Sequence, residues 1–336
     1  MGNLSYVEIL TSCGVGFSVA LLLSRVHLAL MSSSGVGQYI RQWGPNLHQH
    51  KSGTPTMGGI PVLAGLVAGS GLLFTFSADS RPYLILLVVG TFSFGFIGLV
   101  DDLLSLWREQ AKGLSVQQKL VAQIVVAAIF HFLADFYLSD FATLVVPFHV
   151  PSLYLNTPLH CLLNVILLVS VVNACNLTDG LDGLLAGSGI LILSGLAAVA
   201  PVAVVPITLV MISCLFAFLW FNSYPADLFL GDTGSFAIGG FLGSLVIISR
   251  TQLYLPLIGG LLVLETVSVI VQVFSYKVFG HRVFKITPLH HHFERAEGID
   301  YEYYLPTVEW AEPKVTVRLW TVQALFVLLG VTVYLF

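Results

Sequence analysis

Four short stretches of this sequence concentrate residue types that bind cations or meet phosphate. The first is Asp101-Asp102, which closes the apolar run Gly95-Phe96-Ile97-Gly98-Leu99-Val100. Adjacent residues on a helix point ~100° apart, so these two carboxylates are badly placed to grip one ion symmetrically. One can bind a cation or act as a base while the other orients a partner. The second stretch is Asn176-Leu177-Thr178-Asp179-Gly180-Leu181-Asp182-Gly183. If it is helical, Asp179 and Asp182 share a face, and the glycines let backbone approach a ligand closely. The third, Phe229-Leu230-Gly231-Asp232-Thr233-Gly234-Ser235, places an acid at the start of an apolar run. The fourth, Pro288-Leu289-His290-His291-His292-Phe293-Glu294, offers imidazoles as donors to phosphate or base. Three consecutive histidines cannot easily aim at one metal ion.

Each stretch has a plain reading too. Asp101-Asp102 can be solvated helix-end acids, and Asp179 or Asp232 can be a helix N-cap. Asp232-Thr233-Gly234-Ser235 also matches the signature of pepsin-type proteases, which pair two carboxylates; here there is one copy. No Walker A sequence is present, so ATP-driven transport has no support. Taken together, acids for a hard cation and basic residues for anions fit phosphoryl transfer assisted by Mg²⁺, where catalysis is mostly positioning and charge neutralisation.

The elements that must position these residues are membrane spans. Hydrophobic residues make up 56% of the 336 and charged residues only 10%, against ~25% charged in soluble domains. Apolar runs of about the ~20 residues that cross a bilayer fall near 4–30, 55–77, 82–104, 117–138, 158–175, 181–199, 201–221, 233–249, 253–276 and 315–335. The fold class expected is therefore all-α, a polytopic integral membrane protein with about ten transmembrane helices. Only Ala200-Pro201 separates the sixth run from the seventh. The first run has no basic residue before Arg25 and reads as a retained helix rather than a cleaved signal.

Positive charge sets the orientation. With the N-terminus outside, twelve of the 14 Lys and Arg residues fall on the inner side, Arg41, Lys51, Lys112 and Lys119 among them; Arg81 and Arg250 fall outside. Both termini are then expected to be extracytoplasmic. All four chemical stretches, together with His48-Gln49-His50-Lys51, come out on the cytoplasmic face, which leaves Asp79, Asp140 and His149 outside. Inner loops near 31–54, 103–118, 176–182, 222–232 and 277–314 are expected to form one active site on a single membrane-embedded domain, the last loop with a short helix of its own. A net charge of −4 without a basic run gives no case for nucleic acid. The four cysteines are widely spaced and read as small core residues.

Across nearly the whole chain these residues resemble the polyprenyl-phosphate N-acetylhexosamine-1-phosphate transferases. Asp101-Asp102 and Asn176 to Asp182 carry the superfamily pattern. Gly53-Thr54-Pro55-Thr56-Met57-Gly58-Gly59, the His-His-His-Phe-Glu block and Glu312-Pro313-Lys314-Val315 point to its muramoyl-pentapeptide branch. The resemblance implies attack by undecaprenyl phosphate on UDP-N-acetylmuramoyl-pentapeptide, with Mg²⁺ as cofactor, in the bacterial cytoplasmic membrane with the site facing the cytoplasm. It implies Asp101, Asp102, Asp232 and His290 as the catalytic set, with Mg²⁺ on Asp232 and Asp102 and with Asp101 as base toward the lipid phosphate; a covalent route through an Asp stays open. It implies further that Lys51, Thr56, Lys119, Asn176, Asp179, Asp182, Phe229, His291 and His292 bind substrate, Phe229 by stacking on uracil. Membrane lipid is a partner by the same resemblance, and a homodimer is the candidate assembly. Ser105 departs from the pattern, because the family often has Lys there; Arg108 or Lys112 can supply that charge. Glu265, inside the ninth run, reads as a helix-packing hydrogen-bonder and is placed outside the site. The rival readings are a sister enzyme using UDP-N-acetylglucosamine, and a transporter using Asp101, Asp179 and Asp232 as a cation relay.

Overall fold

The computed structural model describes residues 4–34, 51, 53–108, 113–139, 141–148, 150–296, 298–299 and 301–336. Most of the expected inner loop 31–54, with Arg41, His48 and His50, lies outside the described residues, as do Lys112, Asp140 and His149.

A chain this apolar must satisfy its backbone within each crossing segment, and helices do that. The long ones are α1 (Tyr6–Ser34), α2 (Gly59–Phe76), α3 (Arg81–Trp107), α4 (Val116–Tyr137) and α5 (Thr157–Thr178). They continue as α6 (Leu184–Val199), α7 (Val205–Asn222), α8 (Gly231–Ile248), the single turn α9 (Leu255–Ile258), α10 (Gly260–Phe279), the short α11 (Leu289–Phe293) and α12 (Glu312–Leu335). Among the described residues, nine helices are long and apolar enough to cross a membrane. The sixth expected span is shorter: α6 has 16 residues. The ninth is broken in two at Gly259-Gly260, where two of the weakest helix formers stand side by side. A two-stranded antiparallel hairpin, Thr143–Leu144 with Leu153–Tyr154, joins the far ends of α4 and α5.

The bundle is organised around α8, which is buried from Thr233 to Ile248 and packs against α3 and α5. α1 packs on α2 and α7, and α12 on α6. The α3–α8 contact is unusually close because of Gly98: a Cβ there would lie 2.1 Å from the Asp232 carbonyl oxygen. That approach sets Asp101-Asp102 directly against the first turn of α8. Asp101 and Asp102 do not end their helix, which runs on to Trp107.

The loop after α10 is fastened back onto that helix. Gln272 Oε1 accepts from the Val283 and Phe284 amides, both at 2.9 Å, and Gln272 Nε2 donates to the Phe284 carbonyl. Lys285, almost fully buried, donates to the Glu294 carbonyl and to Glu309. The short helix expected in this loop is α11, and it carries the three histidines.

Candidate active site

A cavity of about 450 Å³ opens where the near ends of α3, α4, α5, α8 and the adjoining loops meet. Eleven of the thirteen residues expected in the site line it, from Lys51 and Thr56 through Asp101, Asp102 and Lys119 to Asn176, Asp179, Asp182, Phe229, Asp232 and His291. Ser105 lines it too. His290 and His292 do not.

At one end, Lys119 stands between two carboxylates. Its Nζ is 2.8 Å from Asp101 Oδ2 and 2.6 Å from Asp232 Oδ2. The sequence fixes this locally: Ser115 and Gln118 form a capping box that starts α4, so Lys119 sits in its first turn. A cation there opposes the helix dipole, and the two acids offset that cost. Asp232 Oδ1 accepts from Asn176 Nδ2 at 2.8 Å, which ties α5 to α8. Asp101 Oδ1 accepts from the Leu114 amide at 2.6 Å.

Asp102 has a different task. Its carboxylate accepts from the amides of Asp232 (3.0 Å) and Thr233 (2.9 Å) and from the Thr233 hydroxyl (2.6 Å). It caps the N-terminus of α8 from the neighbouring helix, satisfying backbone donors that a helix start leaves open. The plain reading of Asp232 as the cap is therefore replaced: α3 supplies the cap, and Asp232 projects into the cavity from the first turn. Gly231 makes room, with φ +74° and a hypothetical Cβ 2.7 Å from Asp102 Oδ2.

At the other end, Lys51 Nζ donates to Asp182 Oδ1 at 2.6 Å and to Glu312 Oε1 at 2.5 Å. Backbone amides bind both acids as well. Asp182 Oδ2 accepts from the Ala226 amide and Glu312 Oε1 from the Asp182 amide. Phe229 is held by a short exchange with the segment before α2: its amide donates to the Pro55 carbonyl, and its carbonyl accepts from the Gly58 amide. Its ring stands 5.8 Å from Lys51 Nζ. Thr56 is buried beside it, its carbonyl accepting from His27 Nε2.

Asp179 lies between these ends. Burial pushes its carboxyl up to about 8, reinforced by Asp232, then Asp102 and Asp182.

The three histidines turn three ways. His291 faces the cavity, with Nδ1 2.8 Å from Glu294. His292 is buried in the loop, where Nδ1 accepts from the Lys285 amide. Burial, and then the Lys285 charge, hold its pKa below the ordinary histidine value, so it serves as a neutral acceptor. His292, expected at the substrate, thus has its Nδ1 engaged within the loop. His290 is fully buried against Glu265 and Gly180.

Two residues outside the expected set touch members of it, Glu312 at Lys51 and Glu265 at His290. Glu312 opens α12, and the signal for it was an acid immediately before Pro313 at the start of an apolar run. Glu265 was visible as an acid inside an apolar run, where ionisable residues need a partner.

Among the described residues no group of three or more His, Cys, Asp or Glu side chains is close enough to hold a metal ion by itself. The donor set still suits Mg²⁺, which takes one or two carboxylates and completes its shell with water and substrate phosphate. The ammonium of Lys119 occupies the point where two carboxylates converge, so a cation is already favoured there.

Residues 84–250 match the family model described as glycosyl transferase family 4. The phospho-N-acetylmuramoyl-pentapeptide-transferase of Geobacillus kaustophilus is 38% identical over 332 residues, covering 96% of this chain and 97% of the relative. That of Shouchella clausii is 38% identical over 327 residues, 94% of each chain. The Bacillus subtilis relative of the same name is 35% identical over 324 residues, 94% of this chain and 95% of its own. With identity of this level from end to end, the chain belongs to the phospho-N-acetylmuramoyl-pentapeptide-transferase family.

Proposed function

We propose that the protein transfers phospho-N-acetylmuramoyl-pentapeptide from its UDP carrier to undecaprenyl phosphate, forming lipid I and releasing UMP. An oxygen of the lipid phosphate bonds to the sugar-linked phosphorus as the bond from that phosphorus to the UMP oxygen breaks. One phosphoanhydride replaces another, so no ATP is required. The observation that carries this reading is Lys119 held between Asp101 and Asp232 at the mouth of α3, α4 and α8. It is a charged centre with both a cation for phosphate and carboxylates for a metal.

Asp232 is the residue that would hold Mg²⁺. When bound, Mg²⁺ supplies neutralisation of the charge that gathers on the diphosphate. Asp102, expected as a second ligand, positions Asp232 by capping α8. Asp101 is the base that keeps the attacking lipid phosphate deprotonated. Lys119 meets phosphate, Asn176 orients Asp232, and Phe229 takes the uracil on its exposed face. His291 donates to the nucleotide side of the cavity.

The membrane arrangement belongs to the same proposal. Counting α6, ten crossings put both termini outside and this cavity at the cytoplasmic face of the bacterial inner membrane, in agreement with the Lys and Arg asymmetry. A reporter fused after Phe336 is expected to be active outside, and one inserted near Gly298 inside; reversal of both removes the nucleotide from the cavity's side. The test of activity is UMP release by the purified protein with undecaprenyl phosphate and each of two donors. UDP-N-acetylmuramoyl-pentapeptide is expected to turn over with Mg²⁺ and without ATP. Preference for UDP-N-acetylglucosamine would reassign the donor.

A further inference from the structure

Glu265 is fully buried in α10. A carboxylate so placed needs a specific partner. It has one: Oε2 lies 3.1 Å from His290 Nδ1 and also accepts from the His290 amide at 3.2 Å. One oxygen thus accepts from the His290 backbone and stands at ion-pair distance from its ring, which is itself fully buried on α11. Neither ring nitrogen of His290, nor Glu265 Oε1, has a hydrogen-bond partner among the described residues. Buried polar atoms are nearly always satisfied, and an exception calls for a functional account.

The direction of Nε2 supplies that account. It abuts Gly180, and a Cβ on Gly180 would stand 2.2 Å from it. Gly180 lines the catalytic cavity. The cavity wall is therefore bare backbone where His290 packs behind it. A ring turned by 180° would put Cδ2 in the place of Nδ1 and Cε1 in the place of Nε2, and leave Glu265 facing carbon.

We propose that Glu265 is a positioning residue for His290: it anchors the His290 amide, draws the ring's Nδ1 toward the α10 side from 3.1 Å, and so holds Nε2 against Gly180, the backbone wall of the cavity that takes the phosphate-bearing substrate. This rests on the transferase reading above. It is the arrangement by which a carboxylate sets the aim of a working histidine.

The test is a double-mutant cycle on turnover, run with purified wild type, Glu265→Gln, His290→Gln and the double variant. Glu265→Gln is expected to lower kcat about 30-fold or more, with KM for the UDP substrate within about threefold of wild type. The double variant is expected to be no worse than His290→Gln alone, since a positioning residue has nothing left to position. Glu265→Asp, which keeps the charge, is expected to recover part of the loss, and it carries the test if the Gln variant does not purify. Additive losses in the cycle, or an Asp variant as impaired as the Gln variant, would overturn the inference in favour of packing alone. Wild-type turnover is measured in the same series. Its absence would count against the transferase reading, whereas the ratios between variants bear on Glu265.

Discussion

The cavity has two ends that share one composition, a lysine between two carboxylates, and yet differ in kind. At the Lys119 end the side chains are partly open, 24% exposed for Lys119 and 23% for Asp232. At the Lys51 end they are closed, with 10% for Lys51, 3% for Asp182 and 7% for Glu312. The closed triad is also tied to backbone, Asp182 accepting from the Ala226 amide and Glu312 from the Asp182 amide. It joins the segment before α2, the loop after α5 and the start of α12, which makes it a latch. In the open triad Lys119 and Asp232 sit on helix first turns and line the cavity, so the ammonium can yield to a divalent cation or swing to a phosphate. Identical ion pairs thus become structural or chemical according to how far they are open to the cavity.

The sharpest way to break this comparison is to remove the carboxylate on the open side. Asp232→Asn keeps the shape and the Asn176 contact but loses the charge that would hold Mg²⁺. Turnover is expected to fall ~10³-fold or more, equivalent to ~4 kcal/mol of transition-state stabilisation, while the protein still inserts and purifies. Near-normal turnover would take Asp232 out of the chemistry. Next in size is Lys119→Met. Without the ammonium, Asp101 and Asp232 repel each other by ~4 kcal/mol at ~4 Å and an effective dielectric of ~20. Turnover is expected to fall ~10²-fold, and the Mg²⁺ concentration for half-maximal rate to fall as well, because a competitor for the carboxylates is gone. An unchanged Mg²⁺ requirement would mean that the lysine does not stand in the cation's place.

At the closed end the expected loss is in stability. Breaking a buried ion pair by removing one partner costs ~3–5 kcal/mol. Glu312→Gln should fall at or below the low end, since Lys51 keeps Asp182 and the amide can still accept from the Asp182 backbone. A lowered thermal midpoint with turnover within about tenfold of wild type is expected. The reverse pattern, a normal midpoint and a collapse in rate, would make Glu312 part of the chemistry and erase the distinction between the ends.

What the sequence made legible follows the same line. Apolar runs located the helices because burial of backbone in lipid leaves few alternatives, and α3, α4 and α5 begin and end within a few residues of expectation. The break at Gly259-Gly260 was hidden, since hydropathy is blind to a kink between two apolar segments. Residue type and spacing brought together the acids of the cavity. They gave no access to which acid does what, because that depends on contacts across more than a hundred residues of chain: Asp102 with Asp232 and Thr233, and Glu312 with Lys51 and Asp182. The histidine block was read as a unit, whereas one turn of helix sends its three rings to the cavity, to Glu265 and into the loop.

The smallest effect is expected from the acid that neither lysine serves. Asp179 lies between the two ends, and the charges acting on it come from Asp232, Asp102 and Asp182. With its carboxyl pushed up to about 8, against ~3.9 in an unfolded chain, it binds a proton in the folded protein that the unfolded chain gives up. A carboxyl raised in this way contributes most to stability below the unfolded value, and that contribution is lost as pH rises through the folded value. In Mg²⁺-free buffer the thermal midpoint of wild type should therefore carry a downward component between about pH 4 and about pH 8 from this one group. Asp179→Asn removes it. The variant is expected to melt a few degrees above wild type at pH 8, with the difference shrinking toward pH 4. Added Mg²⁺ should narrow the gap at pH 8, because a cation among Asp232 and its neighbours relieves the same repulsion. A variant that melts below wild type at pH 8, or a gap independent of pH, would show that Asp179 is stabilised by a bond that outweighs the crowding of acids around it.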